Sequence, residues 1–379
     1  MRRVQSHAVR MTEMMPPPLA TAPVAPYVAG AIAVAALTHA YLWARLVRDT
    51  ALVGAHARRA TAALVLAAVL LPAGMLGLLF MRVLPRPYAR PLMTVAFAYA
   101  GALFFLLLLL LAIDGWAVVS RRRRARRGAG LALLGTALLS GGAALQAARA
   151  PAVHERRVAL AGLPPSLDGY RIVQLSDLHV GTALGHAFVE DVVEKANAAR
   201  PDVVVITGDL VDGVPAVLAE SLEPLRRLRA RDGVYMVFGN HEVLSGAEAW
   251  RAFLPSLGIR VLRNECVAVG AYELAGLDEE PDAAAFAGCR GSFVIALAHE
   301  PAAVALAARA GAALQLSGHT HGGQIFPLHL FEWLDQRYVA GLYTVGATQL
   351  HVSAGAGFWG PPMRLGSRAE VNVLVLARP

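Results

Sequence analysis

Gly318-His319-Thr320-His321-Gly322-Gly323 is the stretch that decides the fold of this chain, and a short apolar run, residues 312–316, precedes it. The apolar run predicts a buried strand, and the glycines predict a sharp turn at its end. Two imidazoles at such a turn can face one cleft, and imidazole is a common metal ligand at neutral pH. A lone pair of histidines is also frequent on ordinary surfaces, so its meaning depends on the rest of the chain.

Other apolar runs in the second half of the chain also end at polar side chains. These side chains are Asp177 and His179, then Asp209, then Asn240 and His241, then His299. Ligands of open α/β sheets bind beyond the carboxyl ends of the strands, so we expect these residues to meet there. Carboxylates, an amide oxygen and imidazoles suit two borderline divalent ions, Mn, Fe or Zn. One carboxylate must then bridge the two ions.

The first half of the chain has the composition of a membrane protein. The 379 residues are 56% hydrophobic and 16% charged, with a mean hydropathy of +0.50. Four apolar stretches, near residues 27–47, 60–81, 91–119 and 129–148, reach the length of about 20 residues that a span needs. We therefore predict about four membrane helices. The fourth stretch is rich in Gly and Ala, and a soluble hairpin or packing helix is its alternative.

The net charge of +8 is carried by arginines that lie between the apolar stretches. This pattern favours membrane topology over nucleic-acid binding, and no nucleic-acid partner is expected. Six arginines in residues 121–127 form the strongest basic loop and predict that this loop is cytoplasmic. With four spans, the second half of the chain then lies on the outer face of the cell membrane. Arginines in the N-terminal tail and after the fourth stretch favour the opposite orientation, which stays open.

The chain divides into four parts by composition. Residues 1–25 are predicted to be a disordered basic tail, residues 26–148 a transmembrane domain, and residues 149–167 a linker with a leading strand. From residue 168 to 379, short apolar runs alternate with helical patterns, which predicts an α/β domain.

The polar clusters together resemble the five-part signature of the calcineurin-like metallophosphoesterases. The signature residues are Asp177-Leu178-His179, Gly208-Asp209, Gly239-Asn240-His241-Glu242, His299 and Gly318-His319-Thr320-His321. Residues 168–172 and 357–362 also resemble the membrane-attached bacterial branch of that family. The resemblance implies two packed mixed β-sheets flanked by helices for residues 168–379.

The resemblance also implies a role for each site residue. Asp177, His179 and His321 would hold one ion. Asn240, His299 and His319 would hold the other, and Asp209 would bridge. His241 would face the leaving-group oxygen, so His241, Asp209 and Asn240 form the implied catalytic set. Glu242 stands where many members carry aspartate, and we expect its carboxylate to support His241.

The implied reaction is hydrolysis of a phosphate ester by a hydroxide that both metal ions share. His241 would protonate the leaving alkoxide. The expected partners are the lipid bilayer and a phosphate-ester substrate, for which a lipid-linked compound is one candidate. Two alternatives stay open: pyrophosphate cleavage of a nucleotide-linked lipid at the inner face, and a non-catalytic membrane binding or signalling protein.

Several features of the second half allow two interpretations. Cys266 and Cys289 fit a disulfide in an oxidising compartment or two buried thiols in a cytoplasmic one. The apolar segment at residues 325–333 packs under a loop or forms an apolar wall beside the metals, and Trp359 has the same ambiguity. His186, His329 and His351 have no motif partner and are expected to be ordinary surface or core residues.

Overall fold

The computed structural model describes the backbone of residues 24–75, 86–120, 126–181, 183–291 and 293–379. Most of the predicted N-terminal tail, the end of the second apolar stretch and Arg121–Arg124 lie outside the described residues.

Four long helices precede the α/β domain in the described ranges. They are α1 (Val24–Trp43), α2 (Gly54–Met75), α3 (Arg86–Val119) and α4 (Arg126–Ala147), and α1 continues into a π-helical turn at Ala44–Arg48. Within the described residues, two segments are long and apolar enough to cross a membrane, Pro91–Val119 and Gly128–Ala147. The four-span arrangement therefore stays a prediction for α1 and α2.

Buried polar and small side chains connect these helices. Arg45 Nη2 lies 2.8 Å from Asp114 Oδ1, and the Tyr41 hydroxyl donates to Asp114 Oδ2 over 3.0 Å. A methyl group added at Gly135 would lie 2.9 Å from a methyl of Leu109. The glycine therefore lets α3 and α4 approach closely, as small residues do between membrane helices.

The α/β domain begins with a six-stranded mixed sheet. In spatial order its strands are β1 (Ala152–Ala159), β12 (Glu370–Ala377), β2 (Arg171–Leu175), β3 (Val203–Thr207), β4 (Val234–Val237) and β5 (Ile259–Val261). β12 runs antiparallel to β2, and the other pairings are parallel. All five residues of β3 are buried, because helices cover one face of this sheet and the second sheet covers the other.

The second sheet is also mixed and six-stranded. Its spatial order is β10 (Gly341–Val345), β11 (Thr348–Val352), β9 (Leu314–Ser317), β8 (Val294–Leu297), β7 (Tyr272–Gly276) and β6 (Glu265–Val269). The central strands β11, β9, β8 and β7 are parallel, and the two edge pairings are antiparallel. A disulfide between Cys266 of β6 and Cys289 closes this edge of the domain.

One hydrophobic core lies between the two sheets, where Ile172 and Val205 of the first meet Ile295 and Leu316 of the second. Helices cover the outer faces. α5 (His186–Ala198), α6 (Pro215–Leu222) and α7 (Asn240–Phe253) pack on the first sheet, and α8 (Ala284–Ala287) and α9 (Val304–Arg309) pack on the second. The predicted pair of mixed sheets flanked by helices is confirmed. One more helix, α10 (Leu328–Gln336), follows the turn after β9.

Candidate metal centre

The predicted site residues follow strands that end at one edge of the domain. β2, β3 and β4 are parallel neighbours in the first sheet, and β8 and β9 are parallel neighbours in the second. The segments after these strands carry Asp177 and His179, Asp209, Asn240 and His241, His299, and His319 and His321. Because parallel strands present their carboxyl ends at the same edge, the turns bring these side chains together.

Asp177, His179 and His321 form the first buried cluster. The Nε2 atoms of His179 and His321 lie 3.0 Å apart, and His321 Nε2 lies 3.5 Å from Asp177 Oδ1. Two imidazole nitrogens that face each other at this distance share a proton or a cation, because neutral acceptor nitrogens repel. This donor set suits a borderline divalent ion.

Asp209, His299 and His319 form the second cluster. His299 Nε2 lies 3.2 Å from Asp209 Oδ2 and 3.1 Å from His319 Nδ1. The other ring nitrogen of His299 donates to the carbonyl of Thr207 over 2.8 Å. That hydrogen bond fixes the ring and leaves Nε2 directed into the cluster, as is typical of ligating histidines.

Asp209, a member of the second cluster, also lies close to the first. Its Oδ2 atom is 3.2 Å from His299 Nε2 in one cluster and 3.7 Å from His179 Nε2 in the other. Its second oxygen, Oδ1, accepts the backbone N–H of His241 over 2.9 Å. A carboxylate oxygen in this position can contact ions on both sides.

Two of the predicted ligands have a buried side-chain oxygen without a hydrogen-bond partner in the protein. Within the described residues, Asn240 Oδ1 and Asp177 Oδ2 are buried and accept no hydrogen bond. A buried polar group left unsatisfied costs about 1–3 kcal/mol. Oxygens of this kind beside four imidazoles fit the binding of divalent cations, so the residues present suit the metal ions that the motifs imply.

The backbone is strained at most of the predicted ligands. Positive φ angles occur at Asp177 (52°), His179 (45°), Asp209 (51°), His319 (73°) and His321 (51°). This left-handed region is uncommon for residues other than glycine and costs of order 1–3 kcal/mol per residue. Strain that repeats at these positions indicates that the fold holds the side chains in place for a function.

Glycines make the close approach of the turns possible. A Cβ atom at Gly318 would lie 1.9 Å from Ser176 Oγ and 2.3 Å from Asp177 Oδ2. A Cβ atom at Gly239 would lie 2.3 Å from Asp209 Oδ1. Any larger residue at either position would push the ligand-bearing turns apart.

The carboxylates of the site favour positive charge on two of its imidazoles, whereas burial lowers the pKa of the other two, His319 and His321. Burial disfavours charged histidine, yet Asp212 raises the pKa of His179 to about 9, and Asp209 raises the pKa of His299 to about 10. Burial also opposes ionisation of Asp209, but the adjacent His299 and His179 hold the pKa of that carboxyl well below its usual range. The carboxylates are thus negative enough to keep protons on two buried imidazoles, a role that a divalent ion can take over.

Asp212 is a site residue that the sequence analysis missed. Its Oδ1 atom accepts from His241 Nδ1 over 2.7 Å and from His179 Nδ1 over 2.9 Å. These histidines lower the pKa of Asp212 to about 2 although burial opposes it. The carboxylate thereby orients a predicted ligand and the predicted proton donor together. The available signal was a second aspartate three residues after Asp209 in the same loop.

Glu242 has a different role from the expected support of His241. Its carboxylate accepts the backbone N–H groups of Gly239, Asp209 and Leu210 over 2.8–2.9 Å. It caps the start of α7 and ties the loop after β3 to the turn after β4. The structure gives the support of His241 to Asp212.

The three histidines without a motif partner lie outside both clusters. His351 is buried in β11, where its Nδ1 donates to Gln174 Oε1 over 2.7 Å. His329 stacks on Phe326, with ring centroids 5.2 Å apart. His186 is the first residue of α5.

Comparisons with known proteins agree with this geometry. A family model for the calcineurin-like phosphoesterases matches residues 170–323. A Danio rerio protein named transmembrane protein with metallophosphoesterase domain is 34% identical over a 375-residue alignment that covers 89% of this chain and 85% of that protein. Its Bos taurus namesake is 42% identical over a 273-residue alignment that covers 65% of this chain. A Helicobacter pylori metallophosphoesterase is 39% identical over a 239-residue alignment that covers 60% of this chain.

The match spans 62% of the bovine protein and 64% of the Helicobacter pylori protein, somewhat under two thirds of each. The Danio rerio match, by contrast, extends along most of both chains. The family model matches the strands and turns that carry the two clusters. Together with the similarity to the Danio rerio protein, this match identifies the chain as a member of the calcineurin-like metallophosphoesterases and a metal-dependent phosphoesterase.

Proposed function

We propose that this chain is a membrane-anchored phosphoesterase with two divalent metal ions, acting on a phosphate ester that is lipid-linked. The observation that carries the proposal is the position of Asp209 between two clusters of buried ligands. Asp177, His179 and His321 would hold one ion, and Asn240, His299 and His319 the other. Mn, Fe and Zn all suit such a set of oxygen and nitrogen donors.

Bound ions of this kind would activate water and stabilise the charge that develops on the phosphate oxygens. The protein residues then have separate tasks. His241, which is partly exposed beside the clusters, would donate a proton from Nε2 to the leaving-group oxygen. Asp212 accepts from Nδ1 of that ring, which fixes its orientation.

The two long apolar helices support the membrane anchor. Only 28% of the most apolar window of Pro91–Val119 and 22% of that of Gly128–Ala147 are buried. A core helix of a soluble protein would be mostly buried, whereas an exposed apolar helix fits a lipid environment. The Danio rerio and Bos taurus relatives are named as transmembrane proteins, which agrees with this proposal.

The Cys266–Cys289 disulfide supports a catalytic domain on the outer face of the cell membrane. Disulfides persist in oxidising compartments and are rare in the cytoplasm. The outer face also excludes nucleotide-linked lipids as the normal substrate, because nucleotides are not generally available there.

A hydrolysis screen of the purified full chain tests the proposed function. With Mn²⁺, the protein should release phosphate from lipid phosphates faster than from nucleotides, and chelation should abolish the activity. Asp209→Asn should remove it, whereas Asp191→Asn, which changes a surface ion pair with Lys195, should retain it. The absence of Mn²⁺-dependent hydrolysis across lipid phosphates, nucleotides and phosphodiesters would reject the proposed function.

A further inference from the structure

The helix α10 presents an apolar face to the outside of the domain. Phe331, Trp333 and Leu334 are 64%, 63% and 73% exposed, and Leu330 is exposed beside them. Amphipathic helices of water-soluble domains turn such residues toward the core. Four neighbouring large apolar side chains on one short helix therefore indicate a surface that something apolar covers.

Three polar residues of α10 lie on the opposite side. His329, Glu332 and Gln336 are half-buried, so they face the protein while the apolar residues face outward. At about 100° per residue, these three positions share one side of the helix. The orientation is the reverse of that of an ordinary surface helix and matches a helix whose surroundings are apolar.

The helix is seated directly on the turn that carries a predicted metal ligand. A Cβ atom at Gly323, two residues after His321, would lie 2.3 Å from the Cα atom of His329. The backbone of α10 therefore touches the backbone of this turn. Whatever covers the outer face of α10 is therefore separated from this turn only by the helix itself.

The segment that precedes α10 and the loop before β12 pack against the predicted membrane helices. Ile325 and Met363 form one buried cluster with Phe105 of α3 and Ala143 of α4. The backbone N–H of Arg364 donates to the carbonyl of Ala143 over 3.0 Å. These contacts place the base of α10 beside the segment of α4 that is apolar enough to span the membrane.

Trp359 lies between this apolar surface and His241, the predicted proton donor. The ring of Trp359 is 53% exposed and lies edge-on to His241, with centroids 5.7 Å apart. Its backbone N–H donates to Gln324 Oε1 over 3.0 Å, and its carbonyl accepts from Gln324 Nε2 over 2.9 Å. Gln324 follows the ligand-bearing turn, so Trp359 and α10 are held by the same short segment.

We propose that the outward face of α10, formed by Leu330, Phe331, Trp333 and Leu334, lies in the interface of the lipid bilayer, with Trp359 at its margin. This arrangement would hold the metal centre at the level of the lipid headgroups. The bilayer is the occupant because the contacts that flank α10 are continuous with the apolar helices α3 and α4. The inference deepens the proposed function, on which it rests, by assigning the phosphate of the substrate to the headgroup layer.

Fluorescence quenching in vesicles tests the position of α10 without measuring hydrolysis. Phe331→Cys and Leu334→Cys variants of the full chain would be labelled with an environment-sensitive dye and reconstituted into phosphatidylcholine–phosphatidylglycerol vesicles. Cys266 and Cys289 are joined to each other and do not take the label. Glu220→Cys, at an exposed position of α6, is the matched control. Reconstitution should blue-shift the dye emission at positions 331 and 334, and brominated lipids should quench most of it, whereas the emission at position 220 should show neither change.

Dye emission at positions 331 and 334 that matches the emission in water would overturn the inference. Emission that is shielded from water but unaffected by brominated lipids would also overturn it, because a protein partner or a second copy would then cover the helix. Quenching together with a negative hydrolysis screen would retain the membrane surface and reject the proposed function, so the two failures are distinguishable.

Discussion

The carboxylate of Asp212 accepts hydrogen bonds from two imidazoles that have different predicted tasks. His179 would hold a metal ion, and His241 would donate a proton to the leaving group. Both Nδ1 atoms lie within 2.9 Å of the same oxygen, Asp212 Oδ1. A change at Asp212 should therefore affect metal binding and proton transfer at once.

Replacement of His241 by alanine should lower turnover about 10²–10⁴-fold, the usual range for loss of an acid catalyst. Metal content should stay near normal, because His241 belongs to neither predicted ligand set. The loss should shrink for esters of nitrophenol, whose leaving group needs little protonation. An equal loss for good and poor leaving groups would show that His241 only positions the phosphate.

Asp212→Asn should weaken metal binding about 10–100-fold, as is typical when the partner of a ligating histidine is changed. Turnover of esters with poor leaving groups should fall as well, because His241 loses its oriented acceptor. Titration with Mn²⁺, followed by metal content and by rate, separates the effects. Excess Mn²⁺ should restore the metal content but not the full rate with poor leaving groups. Normal metal affinity and normal rates would exclude a positioning role for Asp212.

At the scale of elements, a buried polar contact joins the two sheets beneath the metal centre. His351 of β11 donates to Gln174 of β2, and Gln174 donates to the carbonyl of Ser317 in β9 over 2.8 Å. Burial lowers the pKa of His351 to about 3, and the charge of Arg156 contributes to the shift. The native state therefore holds this ring neutral between the sheets.

The contact should make stability depend on pH. The folded pKa of His351 lies below the unfolded value of about 6.5, so the unfolded state takes up the proton first as pH falls. The contribution of neutral His351 to the free energy of unfolding is complete above pH 6.5. It is lost as the pH falls toward 3, at up to about 1.4 kcal/mol per pH unit. His351→Asn, whose amide can replace the Nδ1 donor, should lose less melting temperature between pH 7 and pH 5 than the parent. Equal losses would contradict the assignment.

The sequence predicted the strands that carry the ligands, because each is a short apolar run that ends at a polar cluster. Other features had no comparable local signal. The three-residue β5 is too short for a pattern. The place of β12 between β1 and β2 depends on contacts between residues that are far apart in the sequence. The helix α7 begins at Asn240 directly after the turn, and Gly246, with a φ of 101°, interrupts its helical periodicity.

In the candidate site, too, some features could be predicted from the sequence and others depend on the folded structure. Its predicted ligands could be found because motif residues follow strands directly. The partner of His241 could not be found, since Asp212 and Glu242 are both plausible carboxylates until the loops are folded. The outward apolar face of α10 was visible as composition in residues 325–333, but its direction depends on packing against Gly323.

At the scale of the whole molecule, orientation in the membrane decides which substrates can reach the metal centre. If the arginine loop between α3 and α4 is cytoplasmic, a reporter fused after Pro379 should be active outside the cell. Neutral residues in place of the six arginines of residues 121–127 should weaken or invert the orientation, because the other basic residues are nearly balanced. Reporter activity in the cytoplasm would contradict the outer-face assignment and favour the nucleotide-linked lipid.

The bridging position of Asp209 is the central claim, and elemental analysis of the purified protein tests it most directly. The parent chain and the surface control Asp191→Asn should each carry about two transition-metal ions per chain, because the ligands form two adjoining sites. Asp209→Ala should lose both ions together, since each site would keep only three ligands. Full metal content in Asp209→Ala, or a single ion in the parent chain, would contradict the shared centre.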